Sequence, residues 1–195
     1  MNFPYFQAAK SCLLAAAIAL PALPLHAAPV VGPDGMAFYT PPASEGAQGD
    51  LIWYRQASVK LGNGAPDARS WNLMYHSTDA LGQPNVVTGT VIVPTASWKG
   101  RGDRPVISYA VGTHGLNQSC APSLQLAAGT DYETANIVAA LRAGYAVLIS
   151  DNPGYTNGDT PTYLAGKAQG HAVLDIIRAA AQIPQAGISS NAKAA

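Results

Sequence analysis

Pro105-Val106-Ile107-Ser108-Tyr109-Ala110 and Tyr145-Ala146-Val147-Leu148-Ile149 are two short, nearly unbroken apolar runs. Runs of this length that do not alternate with polar residues suit strands buried on both faces of a parallel sheet. The stretch between them carries helical signals. Thr130 with Glu133 fits a capping box, Ile137, Val138 and Leu141 share one face, and Gly144 follows where a helix C-terminus favours positive φ. A second helix is expected from about Gly166 to Gln182, with Val173, Leu174, Ile177 and Ala181 as its apolar stripe and Pro184 ending it. Strand, helix, strand, helix is the rhythm of a doubly wound α/β layer.

Upstream the texture differs. Leu51 to Gln56, Trp71 to Ser77 and Val86 to Val93 read as strands, and Leu81-Gly82-Gln83-Pro84 supplies the turn before the third. The front half is therefore expected to be an antiparallel meander feeding a mostly parallel sheet. Downstream, Gly187 to Asn191 reads as a helix-to-strand connection, and Lys193-Ala194-Ala195 as the first residues of another strand. A sheet that ended there would expose an unpaired edge, so the expectation is a truncated α/β fold that folds poorly alone.

Residues 1–27 have one cation, Lys10, then an apolar run from Leu13 to Leu20, then prolines and small residues ending at Ala27. This is the pattern of a secretory signal peptide, and the run is too short for a membrane span, which needs about 20 residues. Cleavage after Ala27 leaves a Pro- and Gly-rich lead-in, 28–49, and a body, 50–195. Export to the extracellular space or periplasm is expected, with no stable membrane anchor.

The 195 residues carry 11 basic and 11 acidic side chains, and nothing gathers the cations into the face that phosphate neutralisation requires, which excludes nucleic acid as a partner. At 48% hydrophobic residues the chain can fill a domain-sized core. Cys12 lies in the leader, which leaves Cys120 as an odd cysteine. In an exported protein it is either waiting for a partner or a buried free thiol.

Between the strand ending at Ala110 and the helix starting near Thr130 lies the long loop that carries Thr113-His114-Gly115. Long loops in compact domains are commonly functional, and the C-terminal end of a parallel strand is where open α/β sheets place ligands. In a serine hydrolase of this architecture the same loop supplies a backbone N–H to the oxyanion hole. The alternative is a glycine-rich connection with no catalytic duty. Ser108, Ser119 and Ser123 lack the Gly-x-Ser-x-Gly turn that exposes a nucleophile. His171 reads as a packed residue. Asp151, in Asp151-Asn152-Pro153-Gly154, reads as turn chemistry with a substrate contact possible. Arg101-Gly102-Asp103 is ordinary turn composition, and Asn117-Gln118-Ser119 is a glycosylation sequon. His76, His114 and His171 show no metal-ligand spacing, so neither metal nor cofactor is expected.

Four motifs in order carry a resemblance: Phe38-Tyr39-Thr40-Pro41-Pro42, Ser108-Tyr109-Ala110-Val111-Gly112-Thr113, Cys120-Ala121-Pro122-Ser123 and Gln169-Gly170-His171-Ala172-Val173-Leu174-Asp175. Together they resemble the secretory lipase family of α/β-hydrolases, the lipase A type. The resemblance implies an α/β-hydrolase core, a lipid or other ester as substrate, hydrolysis through a Ser/Asp/His triad, and no metal. It implies that His114, flanked by Thr113 and Gly115, occupies the oxyanion-loop position, and that Cys120 is disulfide-bonded. The sequence departs from the family in lacking all three triad members, so this stretch alone is expected to be inactive. A short-chain or aromatic esterase, or a non-catalytic secreted binding module, remains an alternative on the same scaffold.

Overall fold

A computed structural model describes residues 28–155 and 160–195; the expected leader falls outside them. Three antiparallel strands come first: β1 (Leu51–Ala57), β2 (Ala68–Thr78) and β3 (Pro84–Pro94). Each expected strand is present and extends one to three residues further at its ends, as far as the pairing of Ala68 with Pro94 and of Thr78 with Pro84. The β2–β3 turn is closed by Asp79, whose Oδ1 accepts the N–H groups of Leu81 (2.8 Å) and Gln83 (2.7 Å). Asp at the start of a turn does this because its short side chain reaches backbone two residues on.

The two apolar runs become β4 (Val106–Tyr109) and β5 (Ala146–Ser150), and they pair in parallel. The sheet order is β1-β2-β3-β5-β4. β5 joins the meander through an antiparallel pairing with β3, so the sheet is mixed. On the far side of β4, Val106 bridges Ala194 in parallel, with Val106 N–H donating to Lys193 O at 2.9 Å and Ala195 N–H to Val106 O at 3.1 Å. The expected strand start at Lys193 is thus present beside β4.

Helices cover both faces. The crossover between β4 and β5 holds α1 (Pro122–Ala128) and α2 (Thr134–Arg142), and α3 (Gly166–Ala180) packs on the opposite face. Period-two geometry divides β5 between them. Val147 and Ile149 meet Leu126, Ile137 and Leu141, while Ala146 and Leu148 meet Ala172 and Ile176. Each fully buried aliphatic side chain contributes about 1.5–3 kcal/mol, so the two clusters together hold the layers in place. At Gly89 in β3 a Cβ would lie 2.6 Å from Ile149 O and 2.7 Å from the Ile176 side chain. Only glycine fits where β3, β5 and α3 converge.

Three expectations need correction. The expected loop up to Thr130 contains the short helix α1, started by Pro122 at its first position and ended by Gly129 at φ +80°; that Pro-start, Gly-end pattern is a readable helix signature. The Thr130/Glu133 capping box is not formed. Asp131 Oδ1 accepts Glu133 N–H at 2.8 Å, and the Glu133 side chain turns away to the loop after β4. The stripe of α3 is rotated: Ala168, Ala172, Ile176, Ala179 and Ala180 are buried, Val173 and Ile177 half-buried, and Leu174 is 56% exposed. A row of alanines lets the helix backbone approach the sheet closely enough for Tyr75 Oη to donate to Ala172 O at 2.9 Å.

Candidate active site

The loop after β4 leaves the sheet at its C-terminal end and is held by the three residues that precede α2. Gly112 N–H donates to Glu133 Oε1 at 2.7 Å, and Tyr132 Oη donates to Thr113 O at 3.0 Å. His114 lies between them, with its Nδ1 2.8 Å from Gly112 O and its Nε2 2.9 Å from Asp131 Oδ2. The imidazole stacks on the Tyr132 ring at 4.4 Å between centroids and 20° between planes. Its side chain is 1% exposed and that of Asp131 0%. A ring so enclosed cannot swing toward a substrate, which leaves the backbone as the part of His114 that faces the groove.

The far end of the same loop is anchored on Asp151, the residue that follows β5. Asp151 is fully buried; its Oδ1 accepts Ser123 N–H at 2.7 Å, and its Oδ2 accepts the hydroxyls of Ser123 and Thr88, both at 2.6 Å. Ser123 Oγ also meets Tyr39 Oη at 2.8 Å. Burial raises the Asp151 pKa above the usual carboxylate value, and the Ser123 and Thr88 bonds oppose that shift. Burial and the neighbouring Asp151 charge push the Tyr39 phenol far above its ordinary value. Asp151 is therefore an internal anchor, where the sequence suggested a turn former with a possible substrate contact. Its missed role had one faint signal: a carboxylate directly after a fully apolar strand.

Gly115 takes φ +116°, a value few L-residues adopt, and a Cβ there would sit 2.6 Å from Cys120 Sγ. Gly115 O accepts from Tyr155 Oη, and His114 O accepts from Gln125 Nε2 at 3.3 Å. Once these partners are assigned, the N–H groups of Thr113, His114 and Gly115 have no acceptor among the described residues. Thr113 and His114 line a groove bordered by Leu116, Pro122, Asn152, Tyr155 and Tyr163, in which Asn152 Oδ1 is buried without a partner among the described residues. Leu116 (57%) and Tyr163 (53%) give the mouth an exposed apolar rim.

Among the described residues, Cys120 is a half-buried free thiol. Asn117 of the sequon caps the short turn Gln118–Cys120, accepting Ser119 N–H at 3.0 Å. His171 stands apart from the groove's clamp, with Nδ1 3.0 Å from Thr78 O in a packed setting. Ser108 donates to Val173 O at 2.5 Å and is structural. No group of His, Cys, Asp and Glu able to hold a metal occurs among the described residues, and no described helix is long and apolar enough to cross a membrane.

The family profile described as "Secretory lipase" matches residues 120–195. Over that segment the chain is similar to the secretory lipases. Lipase 5 of Candida albicans is 33% identical over 160 residues, covering 76% of this chain and 33% of that protein. "Secreted triacylglycerol lipase LIP2" of Malassezia furfur is 28% identical, covering 83% of this chain and 35% of that protein. The crystal structure of Candida antarctica lipase A superposes with a TM-score of 0.66 at 28% identity, over 80% of this chain and 36% of that one. The esterase LipA of Xanthomonas oryzae, at 22% identity and a TM-score of 0.57, shares the fold. The chain has the α/β-hydrolase fold of these neighbours and spans about a third of the length of the curated relatives it matches.

Proposed function

We propose that this chain forms the N-terminal part, residues 28–195, of a secreted serine ester hydrolase that cleaves triacylglycerols or related carboxylic esters through an acyl-enzyme. The relatives' names supply the substrate class, and residues 1–27 supply the export signal. Sequence 1–195 contains no Gly-x-Ser-x-Gly elbow, so in this reading the nucleophile and its acid and base partners are contributed from outside it, and residues 1–195 alone are inactive. Cys120 pairs with a cysteine that also lies outside it.

What this stretch contributes is half of the oxyanion hole. The observation that carries the assignment is the set of N–H groups at Thr113, His114 and Gly115 without an acceptor among the described residues, in a loop held by Asp131, Tyr132, Glu133, Gln125 and Tyr155. Donors fixed before the reaction stabilise the developing oxyanion without the cost of reorganising in the transition state. The His114 N–H is the donor in this reading, with Thr113 and Gly115 lining the substrate side.

The test compares His114→Ala with His114→Pro in the protein produced from its complete reading frame. Both variants lose the imidazole and only the second loses the N–H, so their difference isolates the donor. His114→Pro should turn over a nitrophenyl ester about 10²-fold more slowly than His114→Ala, mostly in kcat. Equal rates would remove the N–H from the mechanism, and failure of a fluorophosphonate to label the wild-type protein would remove serine catalysis altogether.

A further inference from the structure

Asp131, Tyr132 and Glu133, three successive residues ahead of α2, each hold a different group of the loop after β4. Asp131 meets the His114 ring, Glu133 accepts the Gly112 N–H, and the Tyr132 hydroxyl donates to Thr113 O at 3.0 Å. The third bond differs in what it controls. Thr113 O and the His114 N–H belong to one peptide group, and a trans peptide is planar with its C=O and N–H pointing in opposite directions. Among the described residues every peptide bond is trans. Whatever fixes the direction of that carbonyl therefore fixes the direction of the His114 N–H.

Among the described residues, Tyr132 is the one donor to Thr113 O. The carbonyls on either side have other partners: Gly112 O lies 2.8 Å from His114 Nδ1, and His114 O accepts from Gln125 Nε2 at 3.3 Å. The 113–114 peptide hangs instead on a phenol whose residue is 64% exposed. Its ring is steered by the stack on the enclosed His114 imidazole, at 4.4 Å between centroids. Its hydroxyl reaches the loop because residue 112 is glycine, where a Cβ would lie 3.2 Å from Tyr132 Oη. A hydrogen bond in so exposed a position competes with water and adds little to folding. What it supplies is direction, and a donor aimed before the reaction is what an oxyanion hole requires.

We propose that Tyr132 is a positioning residue for ester hydrolysis: its hydroxyl aims the His114 N–H by holding the opposite end of the same peptide, a role that rests on the His114 N–H being the oxyanion donor. Tyr132 acts through that peptide and transfers no proton. With phenylalanine in its place the ring stack persists and only the hold on Thr113 O is lost. The 113–114 peptide then swings about its flanking dihedrals, and the donor spends part of its time directed away from the groove. The loss falls on the transition state, where negative charge develops on the substrate oxygen, and spares the bound ester, whose neutral carbonyl is a weaker acceptor.

Tyr132→Phe is compared with wild type in the protein produced from its complete reading frame. Turnover of a nitrophenyl ester is expressed per fluorophosphonate-labelled site, so a smaller folded fraction does not count as slower chemistry. The kcat should fall about five- to tenfold, the scale of one net hydrogen bond, while KM stays within about twofold. Selective 15N-histidine labelling reads the peptide itself, independently of catalysis. The order parameter of the His114 amide should drop from about 0.85 in wild type toward about 0.6 in Tyr132→Phe. An unchanged kcat, a loss that appears wholly in KM, or a His114 amide as rigid in the variant as in wild type would each overturn the role of Tyr132 and leave the hydrolase reading standing. A wild-type protein that takes no fluorophosphonate would overturn the hydrolase reading and this role with it.

Discussion

Two buried aspartates hold the two ends of one loop, and they do it by different chemistry. Asp131 grips the start through a histidine, in an enclosed ring-to-carboxylate contact of 2.9 Å. Asp151 grips the end through neutral donors alone: one backbone N–H and two hydroxyls. Asp131 is held by one ring contact and one backbone N–H, whereas Asp151 relies on an N–H and two hydroxyls to offset its burial in a low dielectric. The second arrangement leaves Asp151 with a raised pKa. Together the anchors fix the loop while leaving the N–H groups of residues 113–115 free, so rigidity and an open donor set have the same origin.

The comparison can be broken most directly at Asp151. Asp151→Ala leaves the Ser123 N–H and the Ser123 and Thr88 hydroxyls short of an acceptor and should cost about 3 kcal/mol or more in denaturant unfolding, since each unmet buried donor costs about 1–3 kcal/mol. A loss below about 1 kcal/mol would mean that water fills the gap and the anchor is not needed. His114→Ala comes next. It strips Asp131 of its ring partner and should destabilise by about 2 kcal/mol, with Asp131→Asn recovering part of that loss in the double variant because the buried carboxyl left short of a donor is gone. Strict additivity of the two would show that the pair is not coupled.

The difference in chemistry is sharpened by pH. A carboxylate whose folded pKa lies above its unfolded value of about 3.9 binds its proton more tightly in the folded state, so stability falls as pH rises through the interval between the two values and is level above it. Asp151→Asn removes that contribution. The stability of wild type minus that of Asp151→Asn should therefore decrease as pH is raised from about 4, followed by urea midpoints; a difference that grows with pH would mean that the hydrogen bonds outweigh burial. The smallest effect is expected at Leu174. Assigned to the core by helical spacing but 56% exposed, it should tolerate Leu174→Ser within about 0.5 kcal/mol, whereas Ile176→Ser on the buried row should cost several times more.

The sequence went furthest where a signal is local and periodic. All five strands and the two long helices were legible because apolar runs, alternation and Gly or Pro stops act within a few residues, and the family motifs placed His114, Thr113 and Gly115 on the loop that the fold does bring to the end of β4. It did not show that Glu133 abandons its own helix to hold Gly112, nor that Asp151 is the hub for Thr88, Ser123 and Tyr39. Those partners lie 21 to 63 residues apart in the Gly112, Ser123 and Thr88 contacts, and 84 between Tyr39 and Ser123. No periodicity encodes such pairings. The rotation of α3 was hidden for a related reason: hydrophobicity ranks leucine above alanine, but the face of α3 that lies on the sheet is mostly alanine, with Ile176 fitted over Gly89, and Tyr75, Leu148 and Gly89 from other strands set that fit. Composition and spacing determined which elements form, and the family resemblance singled out the loop after β4. Only the assembled layers decided which polar groups satisfy one another, because burial makes every unpaired one costly and the partner that relieves it is chosen by proximity in space.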